Sequence, residues 1–157
     1  MKTGTARAEP RLDLRAEVLE DPALQAWRQL VYTFIKCERR LEQRLAPHGL
    51  ALSQFEALVR VGRMPGPTQQ ELAEALLLTK GNIGALVDRL GNLGLLERRP
   101  DTSDRRANRL YLKPEGLRLT GKLLEDHIVL IRQMLGPLSE PQQRVLRSLL
   151  QLLEPIT

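Results

Sequence analysis

The chain has one cysteine, Cys37, and two histidines, His48 and His127, in 157 residues. A single cysteine excludes an internal disulfide framework and fits a reducing cytoplasm. The two histidines stand too far apart, without ligand spacing around them, to argue for a metal. No run approaches the roughly 20 consecutive apolar residues a bilayer helix needs. The opening "MKTGTARAEPRLDLRAEVLE" has no apolar signal core, so export is not expected and the cytoplasm is. No motif sets a nucleophile beside a base, and no glycine-rich loop follows a strand. Neither an enzyme nor a cofactor is therefore expected, and internal repeats and low-complexity tracts are absent as well.

What the chain does have is a local excess of positive charge. Residues 1–20 balance four Lys/Arg against four Asp/Glu, residues 21–78 hold seven against six, and residues 114–157 five against five. Residues 79–113 carry eight cations (Lys80, Arg89, Arg98, Arg99, Arg105, Arg106, Arg109 and Lys113) against four acids, Asp88, Glu97, Asp101 and Asp104. Of the formal net charge of +5, four units thus fall in this one short stretch. That is the footprint of a polyanion binder.

The pattern of apolar residues and turn formers places this stretch in a helical chain. Asp21-Pro22 offers an N-cap and a proline at the first helical position. Leu24, Trp27, Leu30, Val31, Phe34, Leu41 and Leu45 then recur at mostly three- and four-residue steps, predicting a long amphipathic helix that ends at "APHG", 46–49. Ser53 with Glu56, Thr68 with Glu71 and Ser139 with Gln142 each read as a capping box. They predict a helix to about Val61, a short helix "QQELAEALL" and a last helix "RVLRSLLQLLE". Thr79 caps a helix with the stripe Ile83, Leu86, Val87 and Leu90, closed by Gly94. Residues 95–99 and 108–112 read as two strands around the turn formers Pro100 to Asp104. Pro114 opens a long helix to about Leu135, with the stripe Leu117, Leu124, Ile128, Ile131 and Leu135.

Two short helices with a tight connection, followed by a basic hairpin, describe a winged helix-turn-helix. The second helix of such a pair enters the DNA major groove. The face of residues 80–90 opposite the apolar stripe comprises Gly81, Gly84, Ala85, Asp88 and Arg89. Glycine inside a helix costs up to roughly 1 kcal/mol relative to alanine. Two on one outer face fit a helix that another surface must approach closely. Thr79, Lys80 and Asn82 stand near the helix start, where a phosphate or base edge is met. On the hairpin, Arg98 and Arg99 end one strand where phosphates would lie. Arg105 and Arg106 flank the tip beside Asp104, which is expected to pair with a neighbouring arginine and fix the wing's shape.

The segment "DRLGNLGLLERRPDTSDRRANRLYLKPEG", 88–116, resembles the MarR (multiple antibiotic resistance regulator) family, with "ELA" at 71–73, "DRL" at 88–90, "GLLERR" at 94–99 and the wing D-x-R at Asp104-Arg105-Arg106. The resemblance implies a mainly α fold with a small β-hairpin wing, and long N- and C-terminal helices that interlock two chains. It also implies a repressor acting on double-stranded DNA, with Arg106 in the minor groove and Asp104 holding the wing. A small phenolic or carboxylate effector would bind between the dimer helices and the winged lobe, with Trp27, Tyr32, His48, Phe55 and Arg60 as candidate lining. Three positions depart from the pattern. Leu77 stands where glycine is common between the two helices, Gly91 lies inside the second, and "LKPEG" replaces "LTxxG", so that Lys113 cannot cap the following helix.

The expected organisation is a flexible arm over residues 1–20, dimerisation helices in 21–52 and 114–157, and a DNA-binding lobe over 53–113. Cys37 continues the apolar stripe of the first helix and is expected to pack, with Lys36, Arg39 and Arg40 beside it leaving a redox role open. Two other classes remain open on the sequence. One is an architectural DNA-binding protein without a ligand, and the other an interaction bundle with a vestigial wing.

Overall fold

The computed structural model describes residues 20–64, 66–101 and 108–154. The expected arm therefore lies, apart from Glu20, outside the described residues, as do Asp104, Arg105 and Arg106. Helix α1 runs Pro22–Leu45, followed by a single 3-10 turn, Ala46–His48, and then α2, Leu52–Arg63. Helices α3, Gln69–Ala75, and α4, Lys80–Asn92, form the helix-turn-helix pair. Strands β1, Leu96–Pro100, and β2, Asn108–Leu112, form the antiparallel hairpin, and α5, Pro114–Leu135, and α6, Glu140–Gln151, close the chain. Two compact units divide at Cys37/Glu38, inside α1.

Capping chemistry explains most of these boundaries. Asp21 Oδ1 accepts from the Leu24 N–H at 3.0 Å, starting α1. At α3 the box is reciprocal: Thr68 Oγ1 accepts from the Glu71 N–H at 3.2 Å, and Glu71 Oε2 accepts from the Thr68 N–H at 2.7 Å. The bonds from Thr68, its N–H foremost, hold the Glu71 carboxyl below its ordinary range. Ser139 and Gln142 pair as expected at α6. The box expected at Ser53 and Glu56 does not form. Helix α2 begins earlier, with Ala51 as its N-cap, because Gln54 Oε1 takes the Ala51 N–H at 3.0 Å. Ser53 therefore falls inside the first turn. The helix also runs past Val61 to Arg63.

Two helix ends share one motif with different residues. After α4, the Gly94 N–H reaches Gly91 O at 2.9 Å and the Leu95 N–H reaches Leu90 O at 3.0 Å, with Gly94 at φ +72°. After α3, the Leu77 N–H reaches Glu74 O at 3.2 Å and the Leu78 N–H reaches Ala73 O at 2.9 Å. This is the same left-handed closure, yet the residue at φ +54° is Leu77. The turn throws Leu77 outward, 94% exposed, while Leu76 and Leu78 pack on the core.

The core gathers inside the second unit. Phe55, Leu58, Leu72, Val87, Leu90, Leu96 and Leu110 are its largest fully buried side chains. Register pairs Leu96 with Leu112 and Arg98 with Leu110, and the Leu110 N–H also donates to Pro67 O at 2.8 Å, tying the hairpin to the residues before α3. Helix α5 approaches so closely at Gly116 that a Cβ there would lie 2.0 Å from Leu95 O. Lys113 serves as its N-cap without a side-chain bond, as its chemistry requires.

On α5 the face turned to this core differs from the expected stripe. Gly116, Thr120, Leu123 and Leu130 are buried, whereas Leu117, Ile128 and Leu135 are exposed and Leu124 is half-buried. The helix carries two apolar faces, and the one read from the sequence is the outer one. Helix α6 buries no residue, and Val145, Leu146, Leu149 and Leu150 lie open on it. Trp27, Tyr32 and Phe34 are likewise exposed on α1, and Cys37 is half-buried.

Candidate nucleic-acid interface

Helix α4 presents Gly81, Asn82, Ala85, Asp88 and Arg89 outward, with Gly84 half-buried beside them and Ile83, Val87 and Leu90 turned to the core. A Cβ built on Gly81 or Gly84 would meet nothing within 4 Å. The fold therefore does not require glycine at either position, in contrast to Gly116. Thr79 Oγ1 accepts from the Asn82 N–H at 3.4 Å, a long bond that caps the helix start weakly. Lys80 is the first residue of α4.

The described acids of the basic stretch are all engaged by arginines of the two strands. Arg98 Nη2 donates to Asp88 Oδ1 at 2.7 Å, and its Nε to Gln69 Oε1 at 3.0 Å. Arg99 Nε donates to Glu97 Oε1 at 2.7 Å, and its guanidinium lies 4.4 Å from the centre of the Tyr111 ring. Arg109 Nε donates to the buried Asp101, and Arg109 Nη1 to Gly66 O at 2.8 Å. Arg98 and Arg99, read from the sequence as phosphate contacts, thus have partners within the lobe that the sequence did not name. Arg89 makes no ion pair among the described residues. Asp104, Arg105 and Arg106 lie outside the described residues.

The five candidate ligand residues separate. Phe55 and Arg60 line a cavity of about 210 Å³ with Glu56, Val59, Arg63, Leu124 and His127. His48 lines a second, of about 330 Å³, with Arg44, Leu123, Asp126 and His127 among its walls. Trp27 and Tyr32 line neither; they lie along the first half of α1, where Lys36 Nζ sits 4.3 Å from the centre of the Tyr32 ring. His127, common to both cavities, was missed as a lining residue. Its signal was its position four residues after Leu123 and three before Leu130, on the inner face of α5. Its ring lies 4.8 Å from that of Phe55. Burial lowers its pKa below the ordinary 6.5, with the Glu56 charge partly opposing. Among the described residues no group of His, Cys, Asp and Glu could hold a metal, and no helix is long and apolar enough to cross a membrane.

Helix pair, hairpin and flanking helices can be matched to known proteins. The family model described as MarR family matches residues 48–107. A probable transcriptional regulator from Pseudomonas aeruginosa is 30% identical over 86% of this chain and 98% of its own, with a TM-score of 0.70. The chain belongs to the MarR family. AbsC, a MarR family transcriptional regulator from Streptomyces coelicolor, is 26% identical with a TM-score of 0.80, covering 85% of this chain and 93% of that one. PecS of Dickeya dadantii (strain 3937), an HTH-type transcriptional regulator, is 29% identical over 72% of this chain and 70% of its own. The MarR fold expected from the sequence, mainly helical with a two-stranded wing, is the one observed.

Proposed function

We propose that this MarR-family chain is a transcriptional repressor that binds a pseudo-palindromic operator as a homodimer and releases it when a small effector binds. One surface carries the reading: the outer face of α4, smooth at Gly81 and Gly84 where the fold itself leaves open space, beside a basic hairpin. MarR from E. coli has been solved with operator DNA, and its chain shares this fold at a TM-score of 0.80 and 23% identity. In this reading Thr79, Lys80, Gly81, Asn82, Gly84, Ala85 and Arg89 meet the major groove, and Arg106 enters the minor groove while Asp104 holds the wing. The open apolar side chains of α1, α5 and α6 supply the dimer surface.

The effector, a phenol or carboxylate, occupies the cavities that meet at His127, where Arg60, Arg63 and Arg44 supply positive charge. PcaV from Streptomyces coelicolor has been solved with its natural ligand, and shares the fold at a TM-score of 0.72 and 23% identity. An effector acts only by binding the DNA-incompetent state more tightly.

Selection from a random duplex pool, followed by footprinting, tests the operator reading. The expected result is a protected palindrome with half-site centres about 10 bp apart. No enriched sequence, or uniform coating of any duplex, would overturn it. Arg106→Ala should weaken binding to the selected duplex by about 1–3 kcal/mol. Asp104→Ala should weaken it too, although it makes the chain more positive. Light scattering should give twice the chain mass at micromolar concentration, and a stable monomer would overturn the dimer.

A further inference from the structure

Asp88 occupies an awkward position for a carboxylate. It stands on the outer face of α4, next to Arg89, with 64% of its side chain exposed, where a phosphate backbone would repel it. Arg98 of β1 holds it at 2.7 Å and, through the same guanidinium, holds Gln69 at the start of α3 at 3.0 Å. A guanidinium is planar and its donors are fixed in direction. Two bonds from one such group to two helices define where its own strand can lie. Arg98 therefore joins the first residue of α3, the middle of α4 and the strand that leads into the wing.

We infer that Asp88, Arg98 and Gln69 form a positioning device that sets the wing at one distance and angle from α4. This rests on the DNA-binding reading above and deepens it: Asp88 governs specificity without reading a base. A helix in the major groove and a wing in the adjacent minor groove both engage only when their spacing matches the duplex. With the tether intact, both contacts form together on the operator. Without it, the wing still offers its charge to any DNA but no longer arrives in register.

Two rival roles predict different behaviour. If Asp88 merely lowered the positive potential, Asp88→Ala would tighten binding to every duplex. If Asp88 accepted a hydrogen bond from a cytosine amino group, its loss would relax selectivity at one base pair, whatever residue stood at 98.

The test uses full-length protein, the duplex enriched from a random pool by the wild type, and a scrambled duplex of equal composition. Asp88→Ala is expected to lose about tenfold in affinity for the enriched duplex, the scale of one good groove contact. Affinity for the scrambled duplex should stay level or rise. Arg98→Ala should lower the ratio of the two affinities similarly, and the double variant should lower it no further than either single change. Asp88→Glu, which keeps the carboxylate, should restore part of the ratio. Hydroxyl-radical footprints of Asp88→Ala should lose minor-groove protection at the wing, while protection of major-groove guanine N7 from dimethyl sulfate should be kept. The pair is exposed, so thermal midpoints should barely move. Additive losses in the double variant, tighter operator binding by Asp88→Ala, or relaxed selectivity confined to one base pair would each overturn the tether while leaving the DNA-binding reading intact. Failure of the wild type to enrich any duplex would instead overturn that reading, and the tether with it.

Discussion

Leu77 shows how much one residue can be constrained by its backbone alone. An L-residue in the left-handed region carries roughly 1–2 kcal/mol of steric cost, and at 94% exposure Leu77 gains little from burial in return. Glycine removes the clash but frees the unfolded chain, which costs back about 0.5–1 kcal/mol. Leu77→Gly is therefore expected to stabilise the fold by about 0.5 kcal/mol, read as a higher midpoint in urea with an unchanged slope. A lower midpoint would mean that the leucine makes contacts beyond this chain's own core. The sequence marked the position, because a glycine is common there in the family, but not the direction of the side chain. Three consecutive leucines look alike until the turn that separates them is known.

His127 is a second such residue. Its folded pKa lies below the ordinary 6.5, because burial disfavours the imidazolium. The unfolded chain then binds the proton more readily, so stability is fully present above pH 6.5 and declines as the pH falls through the folded value. Thermal melts from pH 7.5 to 5.5 should show this decline, and His127→Gln should flatten it. An equal decline in both proteins would place the sensitive group elsewhere. The spacing of His127 from His48 gave no hint of this role, because it bears only on a shared metal.

At the scale of elements, the readable signals were those whose code is local. A cap needs only residues three apart, and Asp21, Thr68, Thr79 and Ser139 all begin helices as read. The exception at α2 is instructive: Gln54 fills the role assigned to Glu56, and nothing in the pattern of side chains distinguished the two starts. The inner face of α5 was illegible for another reason. It has two apolar stripes, and periodicity alone does not say which faces the chain's own core.

Two glycines separate fold from function at this scale. Gly116→Ala drives a Cβ into the Leu95 carbonyl, backbone against backbone, and should destabilise the protein by about 3 kcal/mol, the upper end of ordinary overpacking. Retention of the wild-type melting temperature would contradict that packing. Gly84→Ala faces open space within the chain and should instead stabilise α4 by up to about 1 kcal/mol. If α4 enters a groove, the same substitution should weaken DNA binding. Gel shifts and melts on one preparation would show the two effects with opposite sign. A variant that binds DNA as well as the wild type would mean that no close approach to a groove requires that glycine.

For the whole molecule, the sequence showed apolar stripes on its long helices, many of whose side chains lie exposed, and a local charge imbalance. What the imbalance concealed was its internal use. Arg98, Arg99 and Arg109 are held by Asp88, Glu97 and Asp101, so three of the eight cations in residues 79–113 are already neutralised. DNA carries a sheath of condensed counterions, and a bound cation releases them only to the extent that its own charge is unmatched. If DNA meets only this stretch, Lys80, Arg89, Arg105, Arg106 and Lys113 remain as the most that each chain can bring to this exchange. For a dimer, log affinity against log salt should then fall with a slope no steeper than about −9, where all eight cations per chain would give about −14. A titration of the selected duplex across salt concentrations distinguishes the two. The shallower slope would mean that much of the basic stretch serves to hold the wing, and that the protein keeps its grip on DNA across a wider range of ionic strength than its charge count implies.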